Sequence, residues 1–386
     1  MIYEYSMLAP VVFGVGAAEK TGEKIKEMGL KRALCMCDEG VKNAGILDKI
    51  IKILEDAGIE TVVFDRVLPE PPDTMIDEAG AFVRECGADC IVGIGGGSSL
   101  DAAKMTSILY GRPGSIVDCM NFAGPPFTIE GGLPTILLPT TAGTGSEVSP
   151  ICVVAHTESN TKMVIFTNVT LAIVDPELCR TAPKSVTANC GLDALAHNVE
   201  AITANGRNPF SETMALASAK LIAEYLPAAC RDGDDMEARA KLSLAANFSG
   251  LAFPLANVHV GHAAADSINA SYHTPHGLNC AWVTPAVLEV CAISSPDKVK
   301  LIGEAMGIVF TGNESDEEIG VMAGDAARAL MKECGVPTLE EKGFDRDTIL
   351  GGVDYIVSNV ITPNCPTEID AEKAEWLLAR TYDGYK

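Results

Sequence analysis

Asp193 and His197 stand four residues apart in Gly191-Leu-Asp-Ala-Leu-Ala-His197. Farther along, the chain offers Gly261-His262 and then Thr274-Pro-His276-Gly277. On a helix, the four-residue spacing puts Asp193 and His197 on one face. His262 is expected from a second helix, and His276 from the turn after it, where Pro275 interrupts the pattern. Three neutral imidazole nitrogens and one carboxylate suit a borderline divalent ion such as Fe²⁺ or Zn²⁺, with a coordination position left for a substrate oxygen. A lone histidine is more often a packed or surface residue. Here three of the chain's six histidines fall in these segments beside glycines and other small residues, which favours the metal reading.

The elements that must carry these residues follow from length and pattern. At 386 residues the chain exceeds what one core usually supports, so two domains are expected. Short apolar runs alternate with amphipathic segments up to about residue 184: Arg32–Cys37, Thr61–Asp65, Cys90–Ile94 and Thr135–Pro139 read as strands. Gly45–Leu54 and Thr74–Cys86 read as helices, and Lys162–Val174 as a further strand pair. Strands alternating with helices imply a parallel sheet covered on both faces. Beyond Pro183 the spacing is helical through Val186–Thr203, Ser211–Leu226, Asp235–Asn247, Val258–Asn269, Lys298–Met306 and Asp316–Cys334. The expected fold is an α/β dinucleotide-binding domain over residues 1–184 and an all-helical metal-binding domain over 185–386, with the active site in the cleft between them.

Composition narrows the partners. Hydrophobic residues make up 47% of the chain and charged ones 21%, with a formal charge of −23; such a surface disfavours nucleic acid and anionic membranes. Thirteen cysteines at irregular spacing, several in apolar runs, read as buried thiols of a reducing compartment. No stretch reaches eighteen uninterrupted apolar residues and no basic-then-apolar leader is evident, so a soluble, cytoplasmic protein is expected.

Two turns follow strand ends. Gly95-Gly-Gly-Ser98 opens the segment Leu100-Asp-Ala-Ala-Lys104, where exposed backbone N–H groups and a helix dipole make an anion site. A tight turn that binds nothing is the alternative. The second, Pro139-Thr-Thr-Ala-Gly-Thr-Gly-Ser-Glu-Val148, offers Thr140, Thr141, Thr144 and Ser146 at a position where α/β sheets hold ligands. Asp38, closing the first of these strands, can accept from an adenosine ribose and repel a 2′-phosphate, or can simply cap a helix.

Taken together these segments resemble the iron-containing (group III) alcohol dehydrogenase family. The likeness runs from Phe13-Gly-Val-Gly16 through the glycine turn with Asp101 and Lys104. It continues over the Thr140–Glu147 loop, Asp175-Pro-Glu-Leu178 and Gly191–His197, and ends at Pro275-His-Gly277. The resemblance implies a dehydroquinate synthase-like architecture and a metal, Fe²⁺ or else Zn²⁺, held by Asp193, His197, His262 and His276. It also implies NAD as cofactor, reversible hydride transfer with a small alcohol or aldehyde, and a homo-oligomer. By the same carry-over Gly96, Gly97 and Ser98 face the pyrophosphate, Thr140, Thr141 and Ser146 the nicotinamide side, and Lys162 the ribose, with Gly95, Asp101 and Thr144 also expected to bind the cofactor. Asp38 implies NAD over NADP.

Departures concern the substrate. Asp266 stands where the family commonly has a histidine, Asn257 and His259 where glycines are usual, and Asn364-Cys-Pro366 replaces an Asn-Pro-Arg run. If Val258–Asn269 is helical, His259, His262 and Asp266 share one face and the first and last line the metal cavity as catalytic groups. These changes suggest a polar substrate. A sugar-phosphate cyclase and a cofactor-binding homologue without dehydrogenase activity are the alternative classes.

Overall fold

The computed structural model describes residues 9–119, 128–129, 132–159 and 161–386. Among these described residues, those of 9–141 and 145–181 form one compact unit, and Ala142–Thr144 with Ala182–Lys386 the other. The first is built on β1 (Val11–Phe13), β2 (Arg32–Asp38), β3 (Glu60–Val67), β4 (Cys90–Gly95), β5 (Thr128–Ile129), β6 (Thr135–Pro139), β7 (Ile151–His156), β8 (Thr161–Thr167) and β9 (Leu171–Val174). Its helices are α1 (Thr21–Glu27), α2 (Glu39–Asn43), α3 (Ile46–Asp56), α4 (Asp73–Cys86) and α5 (Gly97–Gly111).

Six strands form a parallel sheet in the order β1-β9-β6-β4-β2-β3. β4 and β6 are buried along their whole length, as a sheet covered on both faces requires. The expected pairing within Lys162–Val174 does not occur. β8 joins β7 and β5 in a separate three-stranded sheet, antiparallel to β7 with Ile151 opposite Phe166, whereas β9 inserts between β1 and β6. The break falls at Asn168-Val-Thr170, where the chain leaves one sheet for the other.

α5 is buried over most of its length, which places Lys104 fully out of water. Its Nζ donates to the carbonyls of Ser146 (3.0 Å), Ser149 (3.1 Å) and Ile151 (2.7 Å) and pairs with Asp101 at 3.0 Å. Burial pulls the ammonium pKa down, but Asp101, Cys152 and Glu147 together outweigh it and the net direction is up. Lys104→Met would strand a buried carboxylate and three carbonyls. A loss of about 3–5 kcal/mol is expected, read in chemical denaturation; a change within about 0.5 kcal/mol, the size of an ordinary surface substitution, would refute the anchoring role.

The second unit carries α6 (Lys184–Thr203), α7 (Pro209–Arg231), α8 (Met236–Ala256), α9 (Val260–Tyr272), α10 (His276–Ala292), α11 (Pro296–Ala305), α12 (Asp316–Cys334), α13 (Arg346–Leu350), α14 (Val353–Ser358) and α15 (Ala371–Asp383). α10 is buried from Leu278 to Ala292 and is its central rod. Among the described residues no helix is long and apolar enough to cross a membrane, and no two cysteines are bridged.

Candidate active site

Several of the residues expected to face a cofactor lie at the carboxyl ends of neighbouring parallel strands, the usual ligand position in such sheets. Asp38 ends β2, Gly95 ends β4, and Thr140 and Thr141 follow β6. Gly95 sits at φ +152°, and a Cβ there would lie 2.5 Å from Ser99 Cβ, so the turn demands glycine. A Cβ on Gly96 would touch Thr141 Oγ1 at 3.3 Å, which puts the second loop against the first. Gly97 and Ser98 form the first turn of α5.

Asp38 does cap α2, accepting from Val41 N at 3.0 Å, while its other oxygen accepts from Ser99 Oγ at 3.1 Å. The carboxylate thus borders the glycine turn. Lys162 pairs with Glu70 at 2.9 Å, and Glu70 N donates to Ser98 Oγ at 3.3 Å. Glu70, a link the sequence reading missed, ties Lys162 to the turn. Asp101 and Ser146 bond to each other. Ser146 Oγ donates to Asp101 Oδ1 at 2.6 Å, and Asp101 Oδ2 accepts from Val153 N at 3.0 Å. Both side chains hold the loop from within. Thr144 belongs to the helical unit.

In the helical unit, α6 presents Asp193 and His197 one turn apart, α9 presents His262, and His276 is the first residue of α10 and not part of a turn. Gly277 permits this: a Cβ there would meet Asn189 O at 2.4 Å and Asp193 Cβ at 3.2 Å. Donor atoms of Asp193, His262, His276 and Cys280 lie within 4.8 Å of one another. His197 lies outside that set, but its ring stacks on His262 with centroids 4.7 Å apart and on Phe253 at 4.3 Å. Asp193 Oδ1, His197 Nδ1 and His262 Nε2 are buried without a hydrogen-bond partner. Asp193 Oδ1 and His262 Nε2, orphaned within the one cluster, are costly in a protein interior unless a cation satisfies them. The donor set therefore fits a divalent ion.

Local electrostatics agree. Burial pushes the His197 imidazole down to about 4, leaving it neutral. Burial works against an ionised Asp193, but the rings of His197, His276 and His262 outweigh it and hold its carboxyl below the usual range. Cys280, one turn after His276, went unnoticed in the sequence; burial raises its thiol well above the ordinary value.

Glu200 was also missed. Buried behind His262, its Oε1 accepts from the backbone N–H of His259 (2.9 Å), Gly261 (2.7 Å) and His262 (3.3 Å), and its Oε2 meets His262 Nδ1. Burial opposes its charge, yet His262 and His259 bring its carboxyl down to about 2. A carboxylate on one ring nitrogen fixes the tautomer and leaves Nε2 facing Asp193 and His276.

The expected shared face of His259, His262 and Asp266 is corrected. α8 ends at Ala256, Asn257 takes φ +63°, and α9 begins only at Val260. His259, at φ −147° and ψ −131°, precedes the helix and turns its ring into the core, with no exposed surface. It does not line the metal cavity, and Asn257 is exposed. Asp266 does reach the cluster, 3.8 Å from His276 Nδ1, and His276 Nε2 lies 3.6 Å from Asp193.

Comparison with known proteins agrees with this geometry. The family model for iron-containing alcohol dehydrogenase matches residues 9–176, and that for the C-terminal part of Fe-containing alcohol dehydrogenases matches 187–382. The 1,3-propanediol dehydrogenase of Klebsiella pneumoniae is 36% identical over 341 residues, 86% of this chain and 87% of that protein. A choline dehydrogenase of Bacillus subtilis (strain 168) is 32% identical over 376 residues, 96% and 92% of the two chains. A solved 1,3-propanediol oxidoreductase superposes with a TM-score of 0.92 at 30% identity, over 99% of this chain and 100% of the other. The sulfoacetaldehyde reductase of Bifidobacterium kashiwanohense, solved with NAD⁺, gives 0.88 at 27%, over 99% of each. The cyclase alternative gives way. With both halves matched in order, the chain belongs to the iron-containing alcohol dehydrogenase family, enzymes of NAD-linked alcohol and aldehyde interconversion.

Proposed function

We propose that the protein is an NAD-preferring dehydrogenase of small polar alcohols, or reductase of the matching aldehydes, with Fe²⁺ or Zn²⁺ held by Asp193, His197, His262 and His276. The observation that carries this reading is the cluster of donor atoms of Asp193, His262, His276 and Cys280 within 4.8 Å of one another, with Asp193 Oδ1 and His262 Nε2 buried and unpartnered. When bound, the ion supplies Lewis acidity and the nicotinamide a hydride acceptor or donor.

The chain's own residues do the rest. Glu200 orients His262, Gly277 lets α10 approach α6, and the turn at Gly95–Gly97 opens backbone N–H groups to a pyrophosphate. Asp266, partly exposed beside His276, is a carboxylate suited to a substrate hydroxyl or a cationic group. This fits relatives named for a diol and for choline. Cys280, kept as a protonated thiol, is a neighbour to the ion and not a required ligand. A panel of alcohols, diols and amino alcohols, run with Fe²⁺- and Zn²⁺-loaded protein while following NADH, tests the reading. Turnover of polar members above plain alkanols is expected, and a preference for unsubstituted alkanols would overturn the substrate class.

Asp38 supports the cofactor preference. A 2′-phosphate brought to the glycine turn would face its carboxylate, a repulsion of about 1–3 kcal/mol or roughly ten- to hundredfold. kcat/KM with NAD is expected to exceed that with NADP by this factor, and Asp38→Gly to narrow the ratio. Equal values in the parent enzyme would show that the carboxylate faces elsewhere.

A further inference from the structure

We propose a second cation site, distinct from the Asp193 cluster, in which His259, Cys291 and Cys365 hold a thiophilic d¹⁰ dication of the zinc class. Donor atoms of the three lie within 4.8 Å of one another, and all three residues are buried. They arrive from separate parts of the chain: the turn between α8 and α9, the end of α10, and the loop before α15.

The loop is built to present Cys365. Asn364 Nδ2 donates to Ala256 O (2.9 Å) and Val258 O (3.2 Å), on the turn that carries His259. Asn205 Nδ2 donates to Cys365 O at 2.8 Å. Three elements are thereby clamped around one point, as a site without moving parts requires.

The histidine tautomer is set from behind. Thr203 Oγ1 donates its single hydrogen to Val199 O at 2.7 Å, so toward His259 Nε2, 2.9 Å away, it accepts. Nε2 therefore carries the proton, and the second nitrogen is left to serve as a donor to metal. Nδ1 is buried without a hydrogen-bond partner, 3.1 Å from Glu200 Oε1. A lone pair facing a carboxylate oxygen in a dry interior is unfavourable unless positive charge sits beside it.

Two sulfurs and one imidazole form the soft donor set of zinc-type sites. The harder Asp193 cluster differs in kind. Binding exchanges thiol protons for the ion, Zn²⁺ + 2 RSH → Zn(SR)₂ + 2 H⁺, with no redox step. The competing arrangement is a proton on Nδ1, giving an imidazolium–Glu200 pair and no metal.

Titration of the metal-free protein with Co²⁺, a spectroscopic stand-in for Zn²⁺, separates the two. About two equivalents per chain are expected, with a near-ultraviolet thiolate-to-cobalt charge-transfer band. His197→Ala, which disables the Asp193 cluster, should keep the band. Cys365→Ser and Cys291→Ala should each lose the band and one equivalent. Absence of the band in the parent protein, or its survival in both cysteine variants, would overturn the site. A second readout needs no substitution: Zn²⁺ should protect Cys365 of the native chain from alkylation, followed by mass spectrometry. Equal labelling with and without Zn²⁺ would also count against the proposal.

Discussion

Replacing His262 by alanine is expected to empty the Asp193 cluster of its divalent ion and to cut turnover by roughly 10³-fold or more, about 4 kcal/mol of lost transition-state stabilisation. The reasoning is local. His262 Nε2 is buried, unpartnered and aimed at Asp193 and His276, while Nδ1 is fixed by Glu200. Alanine removes a donor from that set. The remaining ligands then bind a hydrated ion weakly. Elemental analysis and kcat on the same preparation check this, and full metal occupancy in the variant would refute the ligand assignment.

Glu200→Ala should produce the largest loss of stability in the helical unit, on the order of 3–5 kcal/mol. One carboxylate accepts from three buried backbone N–H groups and meets two imidazoles. Deleting it orphans all of them together, and each unsatisfied buried donor costs about 1–3 kcal/mol before relaxation. Glu200→Gln separates charge from shape: the fold should persist while affinity for the ion falls about 10- to 100-fold. Denaturant unfolding and metal titration read the two effects independently. An alanine variant within about 1 kcal/mol of the parent would remove Glu200 from this anchoring role.

The contrast between what the sequence disclosed and what it hid is physical. Asp193 and His197 were legible because helix periodicity alone puts them on one face, and the glycine turn because β4 is an unbroken apolar strand ending in three glycines. Glu200 looked like any helical glutamate. Its partners are 59 to 62 residues away, and no local pattern encodes that. His259 was misplaced because the apolar spacing from Val258 onward reads as helix. The left-handed turn at Asn257, a residue that tolerates positive φ less well than glycine, delays the helix to Val260. α10 escaped notice for the opposite reason. Apolar on every side, it has no amphipathic period to detect. β8 and β9 were joined in the reading because adjacency in sequence usually means adjacency in a sheet; here the chain changes sheets between them.

The tripeptide Ala142–Thr144 bears on how divisible this protein is. It clusters with the helices although the chain on either side of it belongs to the sheet unit. Within the helical unit, Gly143 lies so close to α6 that a Cβ would sit 2.7 Å from Cys190 Cβ and 2.8 Å from its carbonyl oxygen. Severing the chain after Thr181 would therefore not yield two self-sufficient modules. The C-terminal fragment would carry an uncovered seat at Cys190, three residues before Asp193, and the N-terminal fragment would keep the segment that fills it. Evolution by domain exchange is accordingly constrained: a foreign helical half must accept this host's loop as well as its own covalent joint.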